Sequence, residues 1–398
     1  MDKKVHILTL AEEIKEWVIG VRRDFHKNPE LGMEEFRTGE KITEYLEKMG
    51  IEYKKGIAKT GILGIIRGKE EGKTVALRAD MDALPIEDKK EVEYRSTKEG
   101  KMHACGHDAH MAILLGTAKV LSGMRDNLKG NVKLIFQPAE ESVGGAKPMI
   151  EEGIMENPVV DAVFGLHVAP EIPVGEIGVK FGKMNASADG IKIVIHGEST
   201  HGAYPHSGVD ALLIASHVVV ALQSIVSRNI DPRDSAVVTL GRIHGGQRGN
   251  IIANKIEIIG TVRTLTPETR DKVLEKIKRI VYNVSESMGG KGEVFIEQGY
   301  TSLINDDNMV ELVKRNGEEI LGKDKVRIIK EASLGAEDFA YFLEKAPGAY
   351  FRLGCGNVEK GIIHDGHHCL FDIDEDCLAI GVALQVQNVL SILQENLL

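Results

Sequence analysis

Residues 103–110 read His-Ala-Cys-Gly-His-Asp-Ala-His, placing one thiol, three imidazoles and a carboxylate within eight positions. Thiolate and imidazole are the donors that hold borderline-soft transition metals, zinc first. His103, Cys105 and His107 alternate, so an extended run would turn them to one side. Gly106 permits a turn or a close backbone approach. The apolar run at 111–120 predicts a following helix. A helix start capped by Asp108, with incidental histidines, is the alternative reading of the same stretch.

Three apolar segments elsewhere hand polar residues over at their C-terminal ends. Residues 74–78 lead to Asp80 and Asp82, 132–137 lead through Pro138 to Glu140 and Glu141, and 159–166 lead to His167. In open α/β sheets that edge is where ligands bind, so the recurrence supports the metal reading. Cys105, His107, Glu141 and His167, with one histidine of a late loop that holds His364, His367 and His368, would make a mixed sulfur, nitrogen and oxygen donor set. Five donors exceed one tetrahedral ion, which suggests two metals sharing a ligand; a thiolate can bridge. Such a pair acidifies a trapped water and polarises a carbonyl or phosphoryl oxygen. Of the adjacent Glu140 and Glu141, one carboxylate can coordinate while its neighbour acts as general base. A solvated acidic pair is the alternative. His201, His206, His244, Asn250 and Arg263 cannot be placed by spacing. A serine hydrolase elbow and phosphate-binding glycine patterns are absent from the sequence.

The elements that must position these groups follow from periodicity. Helices are expected at 10–28, 38–49 and 111–120, and strands at 62–67, 74–78, 132–137 and 159–166. From about residue 184 the order becomes β-α-β-β-α-β: strand 186–196, helix 208–228, strands 235–244 and 255–264, helix 267–288 and strand 292–298. That is a ferredoxin-like signature. The α/β pattern then resumes with helix 307–317, strand 349–353 and helix 375–393. The expected organisation is therefore a catalytic metal-binding domain of residues 1–183 and 299–398, interrupted by an inserted α+β domain of residues 184–298.

Composition narrows the class. With 398 residues, two domains are the default. A net charge of −10 without a basic run argues against a nucleic-acid partner. No apolar stretch of membrane-spanning length is expected, and the N-terminus reads as an amphipathic helix rather than a signal peptide. Cys105, Cys355, Cys369 and Cys377 form no disulfide-type pattern, so a cytoplasmic location is expected.

Five motifs in order, Arg78-Ala-Asp-Met-Asp-Ala-Leu-Pro85, His103 to His110, Phe136-Gln-Pro-Ala-Glu-Glu141, Gly165-Leu-His167 and Ala336-Glu-Asp-Phe339, resemble the bimetallic aminoacylase and carboxypeptidase family. The nearest branch comprises amidohydrolases of N-acyl amino acids, hippurate and indole-acetyl amino-acid conjugates. The resemblance implies a zinc-peptidase-like catalytic domain, a mixed sheet flanked by helices, with a ferredoxin-like lid that also makes a homodimer. It implies two divalent metals, zinc first with manganese, cobalt or nickel as alternatives, held by Cys105, His107, Glu141, His167 and His367, with Cys105 bridging. Glu140 would be the general base and Asp82 would orient a ligand histidine. In the inserted domain His201 resembles an oxyanion-stabilising histidine that reaches the partner subunit, and Asn250 and Arg263 resemble holders of the substrate carboxylate. Cys369, Leu370 and Gly202 depart from the family pattern without removing a ligand. Asp80 stands where distant relatives carry histidine, so it is not assumed to be a ligand.

The expected function is hydrolysis of the amide bond of N-acyl amino acids by a metal-activated water. A carboxypeptidase or dipeptidase acting on short peptides is the alternative. A non-catalytic metal-containing binding protein is the reading from another class, and it predicts loss of the base or of ligands.

Overall fold

The computed structural model describes residues 3–394, so the first two and last four positions of the expected catalytic domain lie outside the described residues. The chain forms two compact units. The larger comprises the residues up to Gly182, Asn305–Lys330 and the residues from Tyr341 on; the other comprises Lys183–Ile304 and Glu331–Ala340.

The larger unit begins with helices α1 (Lys3–Glu13), α2 (Lys15–Lys27) and α3 (Phe36–Lys48) and strands β1 (Glu52–Ile57), β2 (Gly61–Arg67) and β3 (Glu70–Asp80). It continues with α4 (His107–Gly123), β4 (Lys129–Gln137), α5 (Ala146–Glu151), β5 (Ala162–Pro173) and β6 (Ile177–Val179), and β7 (Gly182–Asn185) carries the chain over into the inserted unit. The inserted unit supplies β8 (Asp189–His196), α6 (Ala211–Asn229), β9 (Ala236–Gly245), β10 (Lys255–Thr264), α7 (Pro267–Ser287) and β11 (Lys291–Gln298). After β12 (Leu303–Asn305) the chain completes the larger unit with α8 (Asp307–Leu321), β13 (Val326–Ile328), β14 (Gly348–Gly356) and α10 (Asp376–Gln394), with the short α9 (Ala340–Leu343) before β14.

The main sheet has eight strands in the order β1-β2-β4-β3-β5-β14-β6-β13. Its centre is parallel, with β3 between β4 and β5. Val75 to Ala79 are buried without alternation, as a parallel strand covered on both faces requires. Helices α4 and α10 pack on this centre and on each other. They approach so closely that a Cβ at Gly116 would lie 2.6 Å from Val382 Cγ2, and one at Gly381 would lie 2.7 Å from Ile113 Cδ1. The inserted unit is an antiparallel sheet in the order β11-β8-β10-β9 with α6 and α7 packed against it, the strand order of the ferredoxin-like motif.

Several expectations differ from the structure in their limits. The expected strand at 159–166 is β5, which starts at Ala162 and runs on to Pro173, so His167 is a mid-strand residue. It nevertheless projects past the sheet's centre, because β3 pairs with β5 only as far as Arg78 opposite Gly165. The insertion leaves at Gly182 and returns at Asn305 rather than at 299, and residues 331–340 group with it. The reason is local hydrogen bonding: Ser333 N–H donates to Met184 O, and Ala186 N–H is shared between the Ser333 and Gly335 carbonyls.

The expectation that no stretch has membrane-spanning length and composition is corrected. Among the described residues, α6 and α10 are both long and apolar enough. α10 is a core helix, buried along nearly its whole circumference. α6 lays Ile214, Val218, Leu222 and Ile225 on its sheet and exposes Leu212, Leu213, Val220 and Val226.

One buried cation organises the base of α4. Arg22, on the buried stripe of α2 with Val18, Val21 and Phe25, donates to Asp108 (2.7 Å) and Asp372 (2.9 Å) and lies 3.3 Å from Glu375. His26 lies 2.7 Å from the same Asp108 oxygen. Removing one partner of a buried ion pair leaves an uncompensated charge. Arg22→Met is therefore expected to destabilise the protein by about 3–5 kcal/mol, read as a lowered denaturation midpoint; a change below about 1 kcal/mol would show that the carboxylates need no buried cation.

Candidate metal centre and active site

Gly106 is the pivot of the site. Its φ of +83° is in the left-handed region, and a Cβ there would stand 2.3 Å from Val168 Cγ2. The chain turns here and enters α4 at His107, so Cys105 and His107 do not share one side of an extended run, as their alternation predicts. Cys105 ends the turn and His107 opens the helix, with His110 one turn later and its ring centroid 5.5 Å away. Asp108 is not the cap of α4; its carboxylate is taken by Arg22 and His26.

The donors converge from four places in the chain. Cys105 Sγ is 3.3 Å from His167 Nε2, and His367 Nε2 is 3.0 Å from Glu141 Oε1. Cys105, His107 and His167 offer ligand atoms within 4.8 Å of one another, and so do Cys105, Glu141 and His367. The two groups share only Cys105. His107, Glu140 and Glu141 form a third such group, which sets Glu140 beside the donors.

Each donor is aimed by a neighbour. The backbone carbonyl of Val168 lies 2.7 Å from His167 Nδ1 and fixes the proton there, leaving the Nε2 lone pair toward the thiol. His107 Nδ1 lies 3.2 Å from Asp82 Oδ1, close enough for an ion pair but not aligned as a hydrogen bond. Asp82 has a second task. Its two oxygens accept the backbone N–H groups of Glu140 and Glu141, each at 3.0 Å. His367 sits at φ +66° and donates its own N–H to Ala104 O, stitching the late loop to the turn before Cys105. His368 faces elsewhere: it stacks on His364 and accepts the N–H of Leu370.

The electrostatics suit a cation. Burial pushes the Cys105 thiol up to about 12, against the pull of His107. Burial also opposes charge on His107, but Asp80 and Asp82 outweigh it and hold its pKa well above the usual imidazole range. Burial, then Arg352, depress His167 well below that range. Burial would raise Glu141, but the His367 hydrogen bond and the charge of His107 lower it. Neither ring nitrogen of fully buried His107 has a hydrogen-bond partner. A buried imidazole without a partner, an aimed imidazole lone pair and a thiol shared between two donor groups fit a pair of divalent cations.

A fourth cluster, Asp80, His107 and His110, is also compact enough for an ion. Its chemistry opposes one. Arg78 Nη1 lies 2.6 Å from Asp80 Oδ2, and His110 Nδ1 is 2.6 Å from Asp80 Oδ1. His110 Nε2 already accepts the Val168 N–H at 3.0 Å. Burial would raise Asp80, but Arg78, then His107 and His110, hold its carboxyl well below the ordinary range. This is a brace between β3 and β5. The i, i+3 spacing puts His110 on the helix face of His107, but only its long-range partners Asp80 and Val168 make it a brace and not a donor.

The remaining candidates lie in the inserted unit. His201 is exposed; its Nδ1 accepts the Ala203 N–H at 3.0 Å, and its ring is 5.7 Å from that of Tyr204. Asn250 is brought beside it, since Gly202 N–H donates to Asn250 O at 2.8 Å. Arg263 is on β10 and turns its guanidinium onto Thr261 Oγ1 and the Val262 carbonyl.

Comparison with known proteins adds an independent finding. A family model described as peptidase family M20/M25/M40 matches residues 76–390. The chain is 43% identical to thermostable carboxypeptidase 2 of Saccharolobus solfataricus, over 93% of this chain and 94% of that one. It is 42% identical to the N-acetyl-L-cysteine deacetylase of Bacillus subtilis, over 94% and 89% of the two. Among solved structures it superposes with a TM-score of 0.83 on the Bacillus subtilis YXEP protein, described as a dinuclear metal binding peptidase, at 34% identity over 96% of this chain and 99% of that one.

The turn makes its own prediction. Gly106→Ala adds a Cβ to a left-handed residue and overpacks Val168, and is expected to cost about 2–4 kcal/mol in chemical denaturation. Gly123→Ala, where nothing lies within 4 Å of the added atom, is expected to be neutral or stabilising. Equal effects at the two glycines would refute the steric argument.

Proposed function

The chain belongs to peptidase family M20/M25/M40, and from that premise we propose that it is a metal-dependent amidohydrolase cleaving the amide bond of N-acyl amino acids. The observation that carries this reading is the pair of donor groups that share Cys105, with Glu140 beside them. Cys105, His107, Glu141, His167 and His367 are the proposed holders of two divalent cations, zinc first, with manganese, cobalt or nickel as alternatives. When bound, such a pair acidifies a water and polarises the carbonyl to be attacked.

The protein's own groups do the rest. Glu140, almost fully buried, takes a proton from the attacking water at its carboxylate and returns it to the leaving nitrogen as the C–N bond breaks. The products are a carboxylate and a free amino acid. Asp82 fixes where that carboxylate stands, through the backbone of Glu140 and Glu141. The His201 imidazole is assigned to the developing oxyanion, and Asn250 and Arg263 to the substrate carboxylate.

A carboxypeptidase or dipeptidase is the second reading, favoured by the identity to a carboxypeptidase. The chemistry is the same; only the group on the scissile nitrogen's acyl side differs. Four free cysteines, two of them buried, fit a reducing cytoplasm. A homodimer is proposed through the inserted unit, where β9 is an edge strand and α6 exposes four large apolar side chains.

Three measurements test these points. Glu140→Gln is expected to lower kcat about 10²–10⁴-fold with two metals per chain retained, while Cys105→Ser is expected to hold fewer than two; full activity in the first variant would remove Glu140 as the base. Comparing kcat/KM on N-acetyl and N-benzoyl amino acids with that on matched dipeptides separates the two substrate classes, and preference for dipeptides would overturn the acylase reading. Val220→Glu is expected to shift the sedimenting species from dimer to monomer; a wild-type monomer would eliminate the dimer.

A further inference from the structure

Glu35 is fully buried, stands just before α3, and has no part in the chemistry described above. Its Oε1 accepts the backbone N–H of Ala139 at 2.9 Å, across 104 positions of sequence, and its Oε2 accepts the hydroxyl of Thr60 at 2.6 Å. Ala139 is the residue before Glu140. It is buried and has φ +56°, a left-handed conformation that a residue with a Cβ adopts only where its surroundings hold it. The next two N–H groups, of Glu140 and Glu141, are the ones received by Asp82. Three successive backbone donors are thus received by carboxylate oxygens from two distant parts of the chain.

We propose that Glu35 is a positioning residue for the hydrolytic reaction: by holding the Ala139 N–H it imposes the left-handed turn that sets the Glu140 carboxylate in place. The inference rests on the assignment of Glu140 as general base. Asp82 alone does not fix this turn, because its bonds lie on the far side of the Ala139 dihedral. Thr60 orients Glu35 in turn. Burial raises the Glu35 carboxyl to about 7 against that hydrogen bond, yet the clamp survives protonation, since a hydroxyl can accept from a carboxylic acid as readily as it donates to a carboxylate. A glutamine has the same option: its carbonyl accepts from Ala139 and its amide donates to Thr60.

The test compares Glu35→Gln, Glu35→Leu and Glu35→Asp in the metal-loaded, full-length protein. Glu35→Asp keeps the charge but draws the oxygens back by one methylene, and serves if the leucine variant does not fold. The expected result is a fall of kcat on an N-acetyl amino acid by about 10–100-fold in the leucine and aspartate variants, with KM within about threefold, and near wild-type kcat in the glutamine variant. Hydrogen–deuterium exchange of a peptide spanning 137–145 is read in parallel. Its protection is expected to match wild type in Glu35→Gln and to be lost in the other two. A lowered melting temperature with unchanged kcat, or unchanged exchange at 137–145, would overturn the proposal. If the wild-type protein hydrolyses none of the substrates, the amidohydrolase reading fails, and the exchange data still decide whether Glu35 holds the turn.

Discussion

Two hydrogen bonds made by Asp82 bear most of this site. The carboxylate leaves the end of β3 and takes the N–H groups of Glu140 and Glu141. Those residues follow β4, the parallel neighbour of β3, so the bonds join two adjacent strand ends into one rim. The same carboxylate faces His107 at the start of α4. Strand, loop and helix are therefore referred to a single side chain. A fully buried carboxylate demands donors, and here the demand is met by backbone groups that carry the reactive residues.

The pattern repeats around the site. Asp80 is shared by Arg78 and His110, and His110 passes the restraint to the Val168 N–H beside His167. Asp108 is shared by Arg22 and His26 below the first turn of α4. Glu35 receives Thr60 and Ala139. Buried ion pairs are weak sources of net stability, because desolvation offsets most of the attraction. Their usefulness here is geometric. Asp80 holds the brace beside His167, Asp108 anchors the first turn of α4, and Glu35 holds the turn before Glu140.

Much of the site was legible before any coordinates. Cys105, His107, Glu141 and His167 stand out by residue type and position, His367 is picked from its loop only by the family resemblance, and the structure brings the five together in two overlapping groups. The β-α-β-β-α-β order of the insertion was legible because two amphipathic helices and four strands each carry their own period. Other features left little trace. His110 resembled its neighbours in the His-rich stretch, and nothing local distinguishes a ligand from a brace. Glu35 lies in an acidic run, and its burial depends on α3, the β1–β2 turn and the loop after β4 packing together. β1 and the short strands β6, β7, β12 and β13 escaped notice because strands of three or four residues, or strands with exposed alternating charge, have no distinctive pattern.

The amino-acid sequence by itself determined which chemistries are available. Donor identity is a property of side chains, and the apolar periodicity that builds a sheet with functional residues at its rim is local. Only the tertiary structure decided what each donor does. His107 and His110 differ by three residues and share a helix face, yet one has both ring nitrogens without a partner and the other has both occupied. Cys105 became the shared donor because a left-handed turn at Gly106, where Val168 leaves no room for a Cβ, separates it from His107 while β5 and the late loop bring His167 and His367 to it. Contacts between residues 30 to more than 250 positions apart set those roles, and such contacts have no period along the chain.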